Sequence, residues 1–137
     1  MTTATLQGDW HNQHGSVLHL EVGPGGKLSG TFRTAVGVAS HDEKFPLVGF
    51  VTENRIAFCV HFGKEGSLTS WVGHWRGEGG GGEIDALWHM AVRVTDPDAA
   101  RDPWRATWTG ADTFRRGVPP VASKSSLLPS SPVRGGS

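Results

Sequence analysis

The chain has 137 residues, one cysteine, and thirteen basic residues against thirteen acidic ones, a formal net charge of zero with histidine neutral. A single domain of this length buries a core without staples, and the lone Cys59 excludes an intrachain disulfide, while no Cys/His set has zinc-site spacing. The cancelled charge and the lack of any Lys/Arg run exclude the electrostatic footprint of a nucleic-acid or anionic-membrane binder.

The start of the chain shows no charged stretch followed by an apolar one, so it reads as leaderless or as a mature chain whose signal peptide has been removed. A secreted or periplasmic location is the expectation, with the cytoplasm left open. The first informative stretch is Gly8-Asp9-Trp10-His11-Asn12-Gln13-His14-Gly15-Ser16. A strand is predicted over residues 7–12, and in a strand residues i and i+2 share a face, so Trp10 and Asn12 point inward and His11 outward. Asn12 is then a polar group aimed into the core. A buried amide without a partner costs about 1–3 kcal/mol, so Asn12 must bond the protein or something bound inside it.

The second strand, 16–22, alternates Leu18, Leu20 and Val22 against His19 and Glu21, and Gly23-Pro24-Gly25-Gly26 ends it. The third, 27–34, turns Leu28, Gly30, Phe32 and Thr34 inward. A fourth at 45–51 reaches a turn at Thr52-Glu53-Asn54, and a fifth at 55–62 sets Ile56, Phe58, Val60 and Phe62 against Ala57, Cys59 and His61. After Gly63-Lys64-Glu65-Gly66, the sixth at 67–76 puts Ser67, Thr69 and Trp71 on one face. The run from Gly77 to Gly82 lacks the Lys-Ser/Thr of a phosphate loop and reads as a hairpin connection. The seventh, 83–94, aligns Ile84, Ala86, Trp88 and Met90, and the eighth, 104–114, aligns Trp108, Gly110 and Asp112.

These predict an all-β fold. With twenty glycines and no helical periodicity to cover a sheet face, closure into an eight-stranded antiparallel up-and-down β-barrel removes the open edges. Residues 1–115 form the barrel, and the Ser/Pro/Gly-rich tail 116–137 is expected to be disordered, although Val118, Val121, Leu127 and Leu128 would suit a docking peptide. His11 points outward and His14 sits in a turn, so no metal site is expected. His61, His74, His89 and Cys59 also fall on outward faces, toward solvent or an oligomer interface. Parity leaves two readings of the interior open: Asp112 bonds only barrel groups such as Asn12 and Thr34 with the tryptophans as core, or the barrel holds one small ligand.

The ordered set Gly8-x-Trp10-x-Asn12-Gln13-x-Gly15-Ser16, Leu28-x-Gly30-Thr31-Phe32-x-Thr34-Ala35-Val36-Gly37, Ser67-x-Thr69-x-Trp71-x-Gly73, Ile84-x-x-x-Trp88, and Trp104 with Gly110-x-Asp112-Thr113-Phe114 resembles the avidin and streptavidin family of biotin-binding proteins. The resemblance implies that Asn12 and Ser16 donate to the ureido oxygen of biotin, while Asp112 and Thr34 accept from its nitrogens. It sets Ser67 at the valerate carboxylate, Thr69 near the thioether sulfur, and Val38, Ala39 and Ser40 in a loop over the tail of the ligand. Phe62, Trp71 and Trp88 match the aromatic box, Phe62 standing where the family usually has tryptophan. Trp104 matches the residue lent by a neighbouring subunit, which implies a homotetramer.

One departure concerns the ureido oxygen. The family usually places a tyrosine hydroxyl there as third donor, but this chain has no tyrosine and offers Phe32. A hydrogen bond to a group carrying partial charge contributes about 1.5–3 kcal/mol, so the expected affinity is roughly tenfold to a hundredfold weaker than that of the tight members. A lipocalin-like carrier is the alternative, and an inward Asp112 with Asn12 and Ser16 opposes a fatty ligand. Biotin is a ligand here and not a cofactor, and one carboxylate among hydroxyls supplies neither a nucleophile nor an acid/base pair, so no enzyme is expected.

Overall fold

A computed structural model describes residues 6–34, 43–63, 67–77, 81–93 and 107–117. Among them run eight strands, β1 (Gly8–His11), β2 (Val17–Val22), β3 (Lys27–Arg33), β4 (Phe45–Thr52), β5 (Arg55–His61), β6 (Leu68–Arg76), β7 (Glu83–Ala91) and β8 (Thr107–Arg116). Each pairs antiparallel with the next, and β8 returns to β1 to close the barrel. The helical content of the described residues is limited to turns such as the 3-10 turn Pro24–Gly26 between β2 and β3.

Alternation sorts the side chains as expected. Leu18, Leu20, Leu28, Phe32, Ile56, Phe58, Val60, Trp71 and Ile84 are buried, and they share one continuous core with Trp10, Trp75 and Phe114. Ala57, His61, His74 and His89 are exposed and Cys59 is half-buried, all on outward positions. The barrel's close curvature brings neighbouring backbones too near for side chains at a few points. At Gly30 (φ 152°) an added Cβ would collide with the carbonyl oxygen of His19, so only glycine suits that rung.

The end where β1 begins is plugged from within. Leu6 is fully buried, and its carbonyl accepts the Trp10 indole N–H at 2.8 Å. The Arg116 guanidinium lies 4.1 Å from the centre of the Trp10 ring and donates to the carbonyl of Gln7 at 2.9 Å. These contacts explain why β8 runs two residues past the expected end at 114. Arg115 and Arg116 pair with His11 and Trp10, and without those rungs the barrel would not close.

Trp108 departs from its expected inward position. It occupies the same face as Asp112 but is 38% exposed. The first residues of β8 pair only with β7, Trp108 opposite Met90, because β1 ends at His11 and offers no rung at that level. The start of β8 therefore overhangs the open end, where inward parity no longer means burial.

Candidate functional site

The first strand ends one residue before Asn12, and the reason is chemical. The Asn12 carboxamide oxygen accepts the backbone N–H groups of His14 and Ser16, each at 3.0 Å, while Asn12 and Gly15 exchange backbone bonds with the same turn. Two N–H donors aimed at one atom fix it as the oxygen, since an amide nitrogen there would face them donor to donor. The other end of the amide is thereby turned into the barrel. Asn12 is 3% exposed, and its Nδ2 has no hydrogen-bond partner.

Beside it, on the neighbouring strand β8, stands Asp112, 2% exposed. One carboxylate oxygen accepts the Trp71 indole N–H at 2.8 Å, and the other accepts the Gln13 amide at 3.0 Å. Burial pushes this carboxyl above its ordinary range, and donation from Trp71, the nearby His14 and the Gln13 and Asn12 amides temper that rise. Trp71 and Gln13 hold its two oxygens, with the Asn12 amide beside it.

Ser16 is fully buried, Thr34 is 6% exposed, and Thr69 is 1% exposed with its hydroxyl unpartnered. Thr69 and Trp71 face the same interior from β6, and the backbone of Ser67 joins Phe62 at 3.1 Å just before that strand. Among the described residues two buried polar atoms are without partners, one donor and one hydroxyl, in the same interior as the aromatic rings. Leaving either unsatisfied costs on the order of 1–3 kcal/mol, which a polar guest would recover.

The walls are built around Trp71. Its ring stacks on Phe58 at 5.1 Å and 15°, meets Phe32 at 5.3 Å, and takes Phe114 edge-on at 6.4 Å. Phe62 stands against Phe32 at 5.8 Å and Phe45 at 4.9 Å. Trp88 pairs with Trp71 across the β6/β7 ladder, and its indole lies on Gly110, where any Cβ would overlap the ring. Glycine at 110 is thus what admits a second indole to the wall.

The fold brings Asn12, Ser16, Phe32, Thr34, Phe62, Thr69, Trp71, Trp88 and Asp112 to inward buried positions, with Ser67 half-buried beside Phe62. Val38, Ala39, Ser40 and Trp104 lie outside the described residues, as does the tail from 118 onward. Sequence reasoning missed the part of Gln13. It also passed over Phe45, Phe58 and Phe114 as supports of the box, although their parity marked them as inward.

The model of the Avidin family matches residues 1–117 of the chain. Afifavidin from Afifella pfennigii is 29% identical over 114 residues, covering 80% of this chain and 67% of that protein. The crystal structure of Xenavidin superposes with a TM-score of 0.69 at 33% identity, over 81% of this chain and 96% of the other.

A raised carboxyl has a defined consequence for the ligand-free barrel. Asp112 favours the folded state fully below the ordinary aspartate value, and that contribution is lost as pH rises through the raised folded value. Carbon-detected NMR of the ligand-free protein should place the Asp112 midpoint above the ordinary aspartate value of about 3.9. A midpoint at or below that value would contradict the burial that defines the site.

Proposed function

The chain belongs to the avidin family, and from that premise we propose that its barrel binds and sequesters biotin without transforming it. Members of the family bind biotin and are typically tetrameric. The observation that carries the reading is the Asn12 Nδ2, a buried donor without a hydrogen-bond partner among the described residues, set in an aromatic interior beside a buried carboxylate. A cyclic urea needs that pairing of donor and acceptor. Its carbonyl oxygen would accept from Asn12 and Ser16, and its two N–H groups would donate to Asp112 and Thr34. The thioether ring would lie between Trp71, Trp88 and Phe62, near the Thr69 hydroxyl, with Ser67 toward the valerate carboxylate and Val38, Ala39 and Ser40 closing over it.

The site needs little rearrangement to act. Asp112 is held by two donors and Asn12 by two backbone N–H groups, so the dipoles complementary to the urea are in place before binding and little ordering cost remains. A fatty ligand would leave Asn12 and Thr69 unpaired, which disfavours a lipocalin-like carrier. Phe32 presents no donor where the family usually has a tyrosine hydroxyl, so ureido recognition rests on Asn12 and Ser16.

The outer face supports self-association. Phe50, Ala57, Val72, Leu87 and Ala111 are register partners in one apolar row across β4 to β8, and Phe50, Val72 and Leu87 are 60–63% exposed. The row runs through a shallow hollow of about 850 Å³ on the outside of the barrel. So much contiguous apolar surface on a small chain is the mark of an interface. We assign it to further copies of this chain in a homotetramer, with Trp104 lent to a neighbour's site.

Titration with biotin should change the tryptophan fluorescence, through Trp71 and Trp88 in the walls. No response up to high micromolar biotin defeats the reading and revives the carrier. Phe32→Tyr should slow biotin dissociation roughly tenfold to a hundredfold by restoring a third donor, and an unchanged rate would show that the donor is not missed. In sedimentation experiments the wild-type chain should run as a tetramer, and Val72→Glu with Leu87→Glu should shift it to smaller species. A wild-type monomer at micromolar concentration would remove the interface.

A further inference from the structure

The seam between β1 and β8 is the shortest ladder in the barrel, with only Trp10 opposite Arg116 and His11 opposite Arg115. Continued by two residues, that register would set position 13 opposite Thr113. The backbone does not continue, because Asn12 starts the turn. The side chain of Gln13 does so instead. Its Oε1 accepts the Thr113 N–H at 3.1 Å and its Nε2 donates to the Ala111 carbonyl at 3.1 Å, so one carboxamide satisfies a backbone donor and a backbone acceptor of β8 beyond the last β1 rung. The same Nε2 reaches Asp112 Oδ1 at 3.0 Å.

We infer that Gln13 is a positioning residue for the ligand site, acting as a side-chain rung that closes the seam and aims the Asp112 carboxylate. That role rests on the biotin reading of the same site. Asp112 lies between the two β8 residues whose backbone Gln13 grips, so one carboxamide fixes both the strand position and one oxygen of the acid. Trp71 fixes the other oxygen from β6. With both oxygens held, the remaining lone pairs face the chamber in one orientation, ready for a ureido N–H. His14, in the same turn, is the titratable group that faces the acid beside these donors, and its Nε2 lies 3.4 Å from Gln13 Nε2.

Gln13→Leu removes both halves of the rung. Gln13→Glu keeps an acceptor for the Thr113 N–H but sets a negative oxygen against Asp112 and the Ala111 carbonyl, which separates seam closure from positioning. Removing a donor that favours the ionised acid raises its pKa, and the Trp71 indole N–H resonance reports that ionisation through its bond to Asp112. In the ligand-free protein, both variants should move the midpoint of the Trp71 titration upward, Gln13→Glu further than Gln13→Leu. Biotin should leave both about tenfold faster than the wild type, with the acid limit of binding displaced to higher pH. Wild-type midpoints and release rates in the two variants would overturn the inference, even if their melting temperatures fell. Because the titration needs no biotin, a wild-type chain indifferent to biotin whose Gln13 variants still shift the midpoint supports the positioning role while defeating the functional reading.

Discussion

The bond from the Trp71 indole to the Asp112 carboxylate ties together strands that are not paired with each other. Trp71 belongs to β6 and Asp112 to β8, with β7 between them in the ladder, so the 2.8 Å contact is a strut through the interior. It satisfies the indole N–H, which a buried tryptophan needs, and half of a carboxylate that burial penalises. Four ring contacts depend on the same indole or its neighbours: Phe58 stacks on it, Phe32 and Phe114 lean against it, and Phe62 is reached through Phe32. Moving Trp71 would disturb the wall and the acid together.

The polar side of the chamber obeys a different logic. Asn12 commits its oxygen to the turn and keeps its nitrogen for the interior, so the residue that shapes the backbone also supplies the donor. A turn residue serving both ends cannot swing to satisfy itself when no guest is bound. The Thr69 hydroxyl is likewise unpartnered on the β6 wall. Without a guest the barrel carries the cost of both atoms, and on the proposed reading that cost becomes binding free energy when a urea and thioether occupy the space.

Much of this architecture was legible because period-two alternation is a local property. Leu18 and Leu20 against His19, or Ile56, Phe58 and Val60 against Ala57 and His61, state their faces without reference to any other strand. The inward set of polar residues came from the same parity. What alternation does not carry is register between strands distant in sequence. The β1/β8 seam joins residues more than a hundred positions apart, so the overhang that exposes Trp108 and the use of Gln13 as a rung were both invisible. The donors to Asp112 were hidden for the same reason, since Trp71 reaches it from two strands away. The orientation of the Asn12 amide was out of reach too, because it depends on two backbone N–H groups that converge only once the turn has formed.

Phe32 bears on both the wall and the polar side of the chamber. It is fully buried, tilted 33° against Trp71 and edge-on to Phe62, so its ring serves as wall whatever its para position carries. A hydroxyl there would add a third polar atom to a chamber that already holds two without partners. Phenylalanine spares the ligand-free barrel that further cost, and on the proposed reading it leaves the ureido oxygen to Asn12 and Ser16. The trade sits between two states of one protein: fewer orphaned groups when free, fewer bonds when filled. It also raises the demand on the geometry of the turn. With no third donor to correct a misplaced urea, recognition on that reading depends on how rigidly two backbone N–H groups hold the Asn12 amide and how firmly Trp71 and Gln13 hold the acid beside it.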